Sequence, residues 1–193
     1  MAYQTYTTPA VVCGSWPRNG ADKTFLLFTR ELGMLYATAR SVREERSRQR
    51  YALQDCAIVR VSLVRGRSGW RIGSVIDVSH PILASAERSQ RIAVVTLIRT
   101  VRRFMSGESP TPEVYDMIIR SIELLLHYKS KESEVYVICV QFWVLHALGY
   151  VAPTVSEQIL LQQVVEGMSV NISSDTLQSI RRSIDNATLV SHL

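Results

Sequence analysis

Residues 56–78 read CAIVRVSLVRGRSGWRIGSVIDV. Residues 56–64 are β-branched and nearly continuous in apolar character, and 70–78 form a second such run. Between them Gly66-Arg67-Ser68-Gly69 supplies the glycines of a tight hairpin connection. Upstream, AVVC at 10–13 and TFLLFT at 24–29 are two more short apolar runs. GMLYATAR at 33–40 alternates, with Met34, Tyr36 and Thr38 on one face and Leu35, Ala37 and Ala39 on the other. Five short strands in about 80 residues, divided by turn residues, suit a small closed barrel. Periodicity alone leaves an OB-like and an SH3-like barrel both open.

After His80-Pro81 the period changes. Val94, Leu97, Ile98, Val101 and Met105 recur at helical spacing, and Ser106 to Pro110 breaks that helix. Thr111-Pro112-Glu113 reads as N-cap, N1 proline and first-turn acid of the next helix, striped by Val114, Ile118, Ile122 and Leu125. A third is expected from an Ser133 cap to Leu148, ending at Gly149. Apolar on nearly every side, it is expected to lie at the centre of its domain. Two more are expected over 156–166 and 174–189, separated by 167–173. The expected class is α+β: a five-stranded OB-like barrel over residues 1–80 followed by an all-α domain over 81–193.

The chain has 193 residues, 47% hydrophobic and 20% charged, an ordinary globular composition. No apolar run approaches the roughly 18 residues that span a bilayer, and the polar, aromatic start is not that of a signal peptide. A cytoplasmic location is expected. Cys13, Cys56 and Cys139 are odd in number and widely spaced, which argues for reduced buried thiols rather than a disulfide framework. His80, His127, His146 and His192 have no ligand spacing, so no metal is expected.

The net charge of +5 is unevenly placed. Residues 1–80 carry 12 Lys and Arg against 6 Asp and Glu, whereas 81–193 carry 10 against 11. The excess is arginine, Lys23 being the one lysine of the first part. Guanidinium groups present a planar fork to phosphates and stack on bases. Arg40, Arg43, Arg46, Arg48 and Arg50, with Arg65, Arg67 and Arg71 on the following strands and hairpin, are the expected DNA-binding cations. Arg60 is a further basic side chain on these strands, with pairing to Asp55 or Asp77 as the alternative. Trp16, Tyr36, Tyr51 and Trp70 are the aromatics nearest this charge and the candidates for base stacking. None reads a base edge, so binding without strong sequence preference is expected.

The order of short motifs resembles the RecO family of recombination mediators. Leu27-Phe28-Thr29-Arg30-Glu31-Leu32-Gly33 matches that family's strand-to-turn step. Ala37-Thr38-Ala39-Arg40-Ser41-Val42-Arg43, continuing to Ser47-Arg48, matches its basic loop, and Ala52-Leu53-Gln54-Asp55 the segment after it. Roughly 100 residues on, Gln141 to Tyr150 (QFWVLHALGY) is similar to the family's helix ending in Leu-Gly-Tyr. The resemblance covers residues 9 to about 153. It departs from the pattern in placing Ala21 after the turn glycine, Arg40-Ser41 for lysine-glycine, and Ile138-Cys139 where some members carry arginines. Residues 151–157 contain no cysteine, so the zinc motif of many members is missing.

The resemblance implies a mediator that binds single-stranded DNA, engages the single-stranded DNA-binding protein and RecR, and promotes RecA loading and strand annealing in association with the nucleoid. Arg99, Arg102, Arg103 and Arg120 are then candidates for the basic rim of a partner groove walled by Phe142, Trp143 and His146. No phosphate-cradling GxxxxGK[ST] loop, nucleophile elbow or HExxH helix is present. A non-enzyme without cofactor is expected.

Overall fold

The computed structural model describes residues 4–85, 87–128, 130–166 and 172–191. They form two compact units: Met1–Ala84 with Met105–Tyr115, and Ser85–Phe104 with Asp116–Leu193. The boundary expected after residue 80 falls after Ala84. It is also crossed twice more, because 105–115 returns to the first unit.

The first unit is a closed barrel. Its strands are β1 (Thr5–Pro17), β2 (Lys23–Thr29), β3 (Gly33–Ala39), β4 (Ile58–Gly66) and β5 (Gly69–Ser79), and a short helix, α1 (Arg48–Ala52), lies between β3 and β4. The order around the barrel is β1-β2-β3-β5-β4. All pairings are antiparallel except β3 with β5, a parallel seam at Ala37–Trp70 and Thr38–Arg71. Alternation fills the interior with Ala10, Val12, Phe25, Leu27, Leu35, Ala37, Val61 and Leu63, all at most 2% exposed. The small alanines of β3 let the wall curve tightly around the larger side chains of β2 and β4.

A bulge between Val12 and Gly14 shifts the β1–β2 register. Unshifted parity would send residue 16 inward with Ala10 and Val12. After the bulge Ser15 stands opposite inward-facing Phe25, and Trp16 opposite Thr24. The extra residue thus turns the indole to the outer surface.

Residues 105–115 pack on the same barrel. Met34 N–H donates to the Gly107 carbonyl, and the Phe28 and Tyr115 rings lie 5.4 Å apart. Gly33 has φ +71°, and a Cβ there would meet the Ser109 backbone oxygen at 2.4 Å. Only glycine satisfies both the left-handed turn and this approach.

The remaining helices are α2 (Pro81–Ala84), at the end of the barrel unit, then α3 (Arg88–Phe104), α4 (Pro112–Leu125), α5 (Ser130–Ala147), α6 (Val155–Glu166) and α7 (Ser174–Val190). α5 packs against α3, α6 and α7, the central place its apolar circumference required. It starts three residues before the expected cap, and the Ser133 hydroxyl, fully buried, donates back to the Tyr128 carbonyl. Its end follows the expectation: Gly149 has φ +80°, and Tyr150 N–H reaches the Leu145 carbonyl in a Schellman turn. α6 opens with a capping box, in which Glu157 accepts from Thr154 N–H and donates its own N–H to the Thr154 hydroxyl. Among the described residues no helix is long and apolar enough to cross a membrane. The expected separator 167–173 lies largely outside the described residues, as does His192.

Candidate nucleic-acid interface

Trp16 and Tyr36 share the outer face of the first three strands. They are 37% and 61% exposed, their ring centroids are 6.0 Å apart, and the planes are tilted by 50°. The bulge sets Trp16 on this face; simple alternation in β3 sets Tyr36 there. Thr38, the next outward residue of β3, accepts from Arg18 Nη1 at 2.6 Å and stands in register with Arg71. Arg18 was not among the residues expected from sequence, although it lies two positions beyond Trp16 on the chain's exit from β1.

The arginine stretch after β3 is a fixed loop. Ser41 takes φ +51°, and its N–H donates to Asp22 Oδ1 at 2.8 Å. Arg43 N–H donates to the Ala21 carbonyl and its Nη1 to the Gly20 carbonyl, at 2.9 and 3.1 Å. Val42, 2% exposed, pins the loop to the barrel core. Arg40, Arg43, Arg46, Arg48 and Arg50 are all exposed, and none forms an ion pair among the described residues. Tyr51 is 63% exposed on α1, whose Gln49 side chain donates to the Gly73 carbonyl of β5. Lys23, Arg43 and Arg50 converge on a cavity of ≈ 310 Å³ floored by Phe25, Val42 and Leu53. Lys23 was not among the residues expected at the site, because one lysine at a strand start has no pattern of its own.

One expected contact is corrected. Trp70 is 6% exposed and belongs to the barrel core, edge-on to Tyr6 at 5.3 Å, so no face of it is open to a base. Its Nε1–H donates to Glu108 at 2.9 Å. Arg65 lies over the same indole at 4.8 Å and is ion-paired with Glu108, while about half of its side chain stays exposed. Burial tends to raise the Glu108 pKa, but hydrogen bonds from Trp70 and Arg65, with the Arg65 charge, outweigh it and hold this carboxyl below its ordinary value. Arg67, in the β4–β5 turn, is exposed. Arg60 pairs with Asp77 at 3.3 Å, one of the two alternative partners.

The helical unit rearranges the expected partner groove. Trp143 and His146 do line a groove, of ≈ 280 Å³, with Gln158, Leu161, Gln162 and Val165 of α6. Phe142 is 1% exposed and turned into the core, so it forms no wall. Arg103 donates to the Thr188 and Ser191 carbonyls at the end of α7, and Arg120 to the Glu166 carbonyl at the end of α6. Both meet carbonyls at a helix C-terminus, where the partial negative charge of the helix lies. Arg99 and Arg102 are exposed on α3. Glutamines, not arginines, line this groove alongside its apolar residues.

Among the described residues no group of three or more His, Cys, Asp or Glu is placed to hold a metal ion. The three cysteines are buried, and burial pushes the Cys139 thiol up to about 12. No family model matches the chain, and no curated protein matches it.

Proposed function

We propose that the barrel is an OB-fold that binds single-stranded DNA and that the chain acts as a RecO-like recombination mediator. The strand order, the parallel β3–β5 seam and the helix between β3 and β4 support the fold reading. In such barrels the β2–β3 face and the β1–β2 and β4–β5 turns contact the strand. The observation that carries the proposal is the exposed Trp16–Tyr36 pair on β1 and β3, with Arg18 bonded to the neighbouring Thr38 and the arginine loop following β3 in the chain. Bases stack on the rings without sequence preference, and the guanidinium groups follow the phosphates.

The mediator role rests on the resemblance of sequence blocks. In this role the chain has no active site and works by differential affinity, holding the strand while RecR, RecA or a complementary strand gains access. The hydrophobic-ended tail of the single-stranded DNA-binding protein would seat in the groove lined by Trp143, His146, Leu161 and Val165. A nucleoid-associated location accompanies this reading.

The test is anisotropy of a labelled strand of about 16 nucleotides, the upper site size of one such barrel, followed by annealing of strands coated with the single-stranded DNA-binding protein. Wild type is expected to bind, to weaken steeply between about 50 and about 200 mM salt, and to speed annealing. Lack of binding at the lower salt would remove the proposal. Binding without faster annealing would leave a general nucleic-acid binder in its place.

A further inference from the structure

We infer that the cavity at the foot of β2 is a receptor for a phosphate monoester. The inference rests on the single-strand reading above in taking that monoester from the end of a strand.

Three cations from three separate segments meet there: Lys23 at the start of β2, Arg43 in the loop after β3, and Arg50 on α1. The remaining lining is Phe25, Val42 and Leu53, at most 3% exposed and all members of the barrel core. No carboxylate lines the cavity, and none pairs with these cations among the described residues. Bringing like charges together over an apolar floor is unfavourable, because that floor weakens the screening between them. An anion reverses the sign of the balance, and the same weak screening then strengthens each contact.

The receptor is also built before any ligand arrives. Arg43 is oriented by the Gly20 carbonyl, and its loop is pinned through Ala21 and Asp22. A guanidinium held by a carbonyl on one edge still presents its other donors, so little side-chain freedom is lost on binding.

Charge and size select the ligand class. A diester in mid-strand carries one negative charge. A monoester approaches two above its second ionisation near pH 6 and offers three terminal oxygens. That matches three converging cations, whereas the exposed arginines elsewhere on the loop suit a diester backbone. At ≈ 310 Å³ the cavity lies at the small end of ligand sites, the scale of one nucleotide unit. Its floor is closed by core side chains, so a strand would enter by its end.

The experiment uses the whole chain and competition against one labelled strand. Competitors are the same sequence with a 5′-phosphate, with a 3′-phosphate, with hydroxyls at both ends, and a free deoxynucleoside monophosphate. One phosphorylated strand is expected to compete about tenfold better than the hydroxyl strand, the size of one added charge-assisted hydrogen bond. That advantage should vanish in Arg50→Ala and in Lys23→Ala, whose side chains are not needed to hold the loop, and should shrink at about pH 5, where the monoester loses charge. Arg67→Ala, in the β4–β5 turn, should weaken all strands alike and leave the advantage intact. If the free monophosphate competes as well as the phosphorylated strand, the cavity takes a free nucleotide, and the monoester assignment stands. Equal competition by every strand, with no effect of the monophosphate, overturns the inference while leaving strand binding in place. If no strand binds but the monophosphate raises the melting temperature of wild type and not of Arg50→Ala, the strand proposal falls and the cavity assignment survives.

Discussion

The indole N–H of Trp70 donates to the Glu108 carboxylate at 2.9 Å, joining the hairpin end of the barrel to a segment that reaches it only after α3. Glu108→Ala leaves that buried donor without a partner, at about 1–3 kcal/mol. Glu108→Gln keeps an acceptor for the indole and loses only the charge facing Arg65. Both partners of that ion pair are about half exposed, so its loss costs at most about 1 kcal/mol. Urea unfolding followed by tryptophan fluorescence should rank wild type above Gln and Gln above Ala. The reverse order would deny the clamp.

The same carboxyl gives a pH dependence of known sign. Its folded pKa lies below the ordinary value, so the unfolded chain takes up the proton more readily. The clamp is fully effective above about pH 4.5 and is lost as pH falls through the lower folded value. Melting temperatures measured from neutral pH down to about pH 3 should fall less in Glu108→Gln than in wild type.

Trp16→Ala and Trp70→Ala should separate binding from folding. Removing Trp16, on the surface, is expected to weaken oligonucleotide binding by about 1–3 kcal/mol with little change in the unfolding midpoint. Removing Trp70, in the core, is expected to cost about 3–5 kcal/mol of stability. Paired anisotropy and urea curves check both, and a folded Trp70→Ala protein that had lost only affinity would reverse the assignment.

Replacing Gly33 with alanine puts a side chain into the Ser109 backbone and forces a non-glycine residue to φ +71°. A loss of about 3 kcal/mol is expected from strain and displacement together. An unchanged unfolding midpoint would mean that 105–115 does not rest on the barrel as described.

Cys139, raised to about 12 and fully buried, should resist thiol reagents at neutral pH until denaturant opens the helical unit. Mass spectrometry after a timed pulse of iodoacetamide reads this directly.

The strands were legible because alternation and turn glycines are local; parity groups Tyr36 with Met34 and Thr38, but Met34 is buried and Tyr36 exposed, a difference that alternation does not supply. Trp16 needed the bulge, which the run Ala10-Val11-Val12-Cys13 does not announce. The burial of Trp70 was hidden because its partner, Glu108, sits in a stretch whose glycine and prolines read only as a helix break. Arg103 and Arg120 were misplaced for a related reason: a guanidinium that caps a distant helix looks, in sequence, like any surface arginine. Glu157 could have been found, since Thr154-x-x-Glu157 before an apolar run is a recognisable capping box. The cationic cavity was half visible: Arg43 and Arg50 stood out in the arginine cluster, and only folding brings Lys23 to them.

The β3–β5 seam, two residue pairs long, has a consequence in time. Until Ala37 and Thr38 meet Trp70 and Arg71, the cylinder is an open sheet with two unpaired borders, each able to recruit its counterpart from another molecule. Closure rests on only two residue pairs and gains little until the longer β1–β4 ladder is in place, so it comes late. Refolding yield should therefore fall as protein concentration rises, and the backbone amides of that seam should be the first in the barrel to exchange with deuterium.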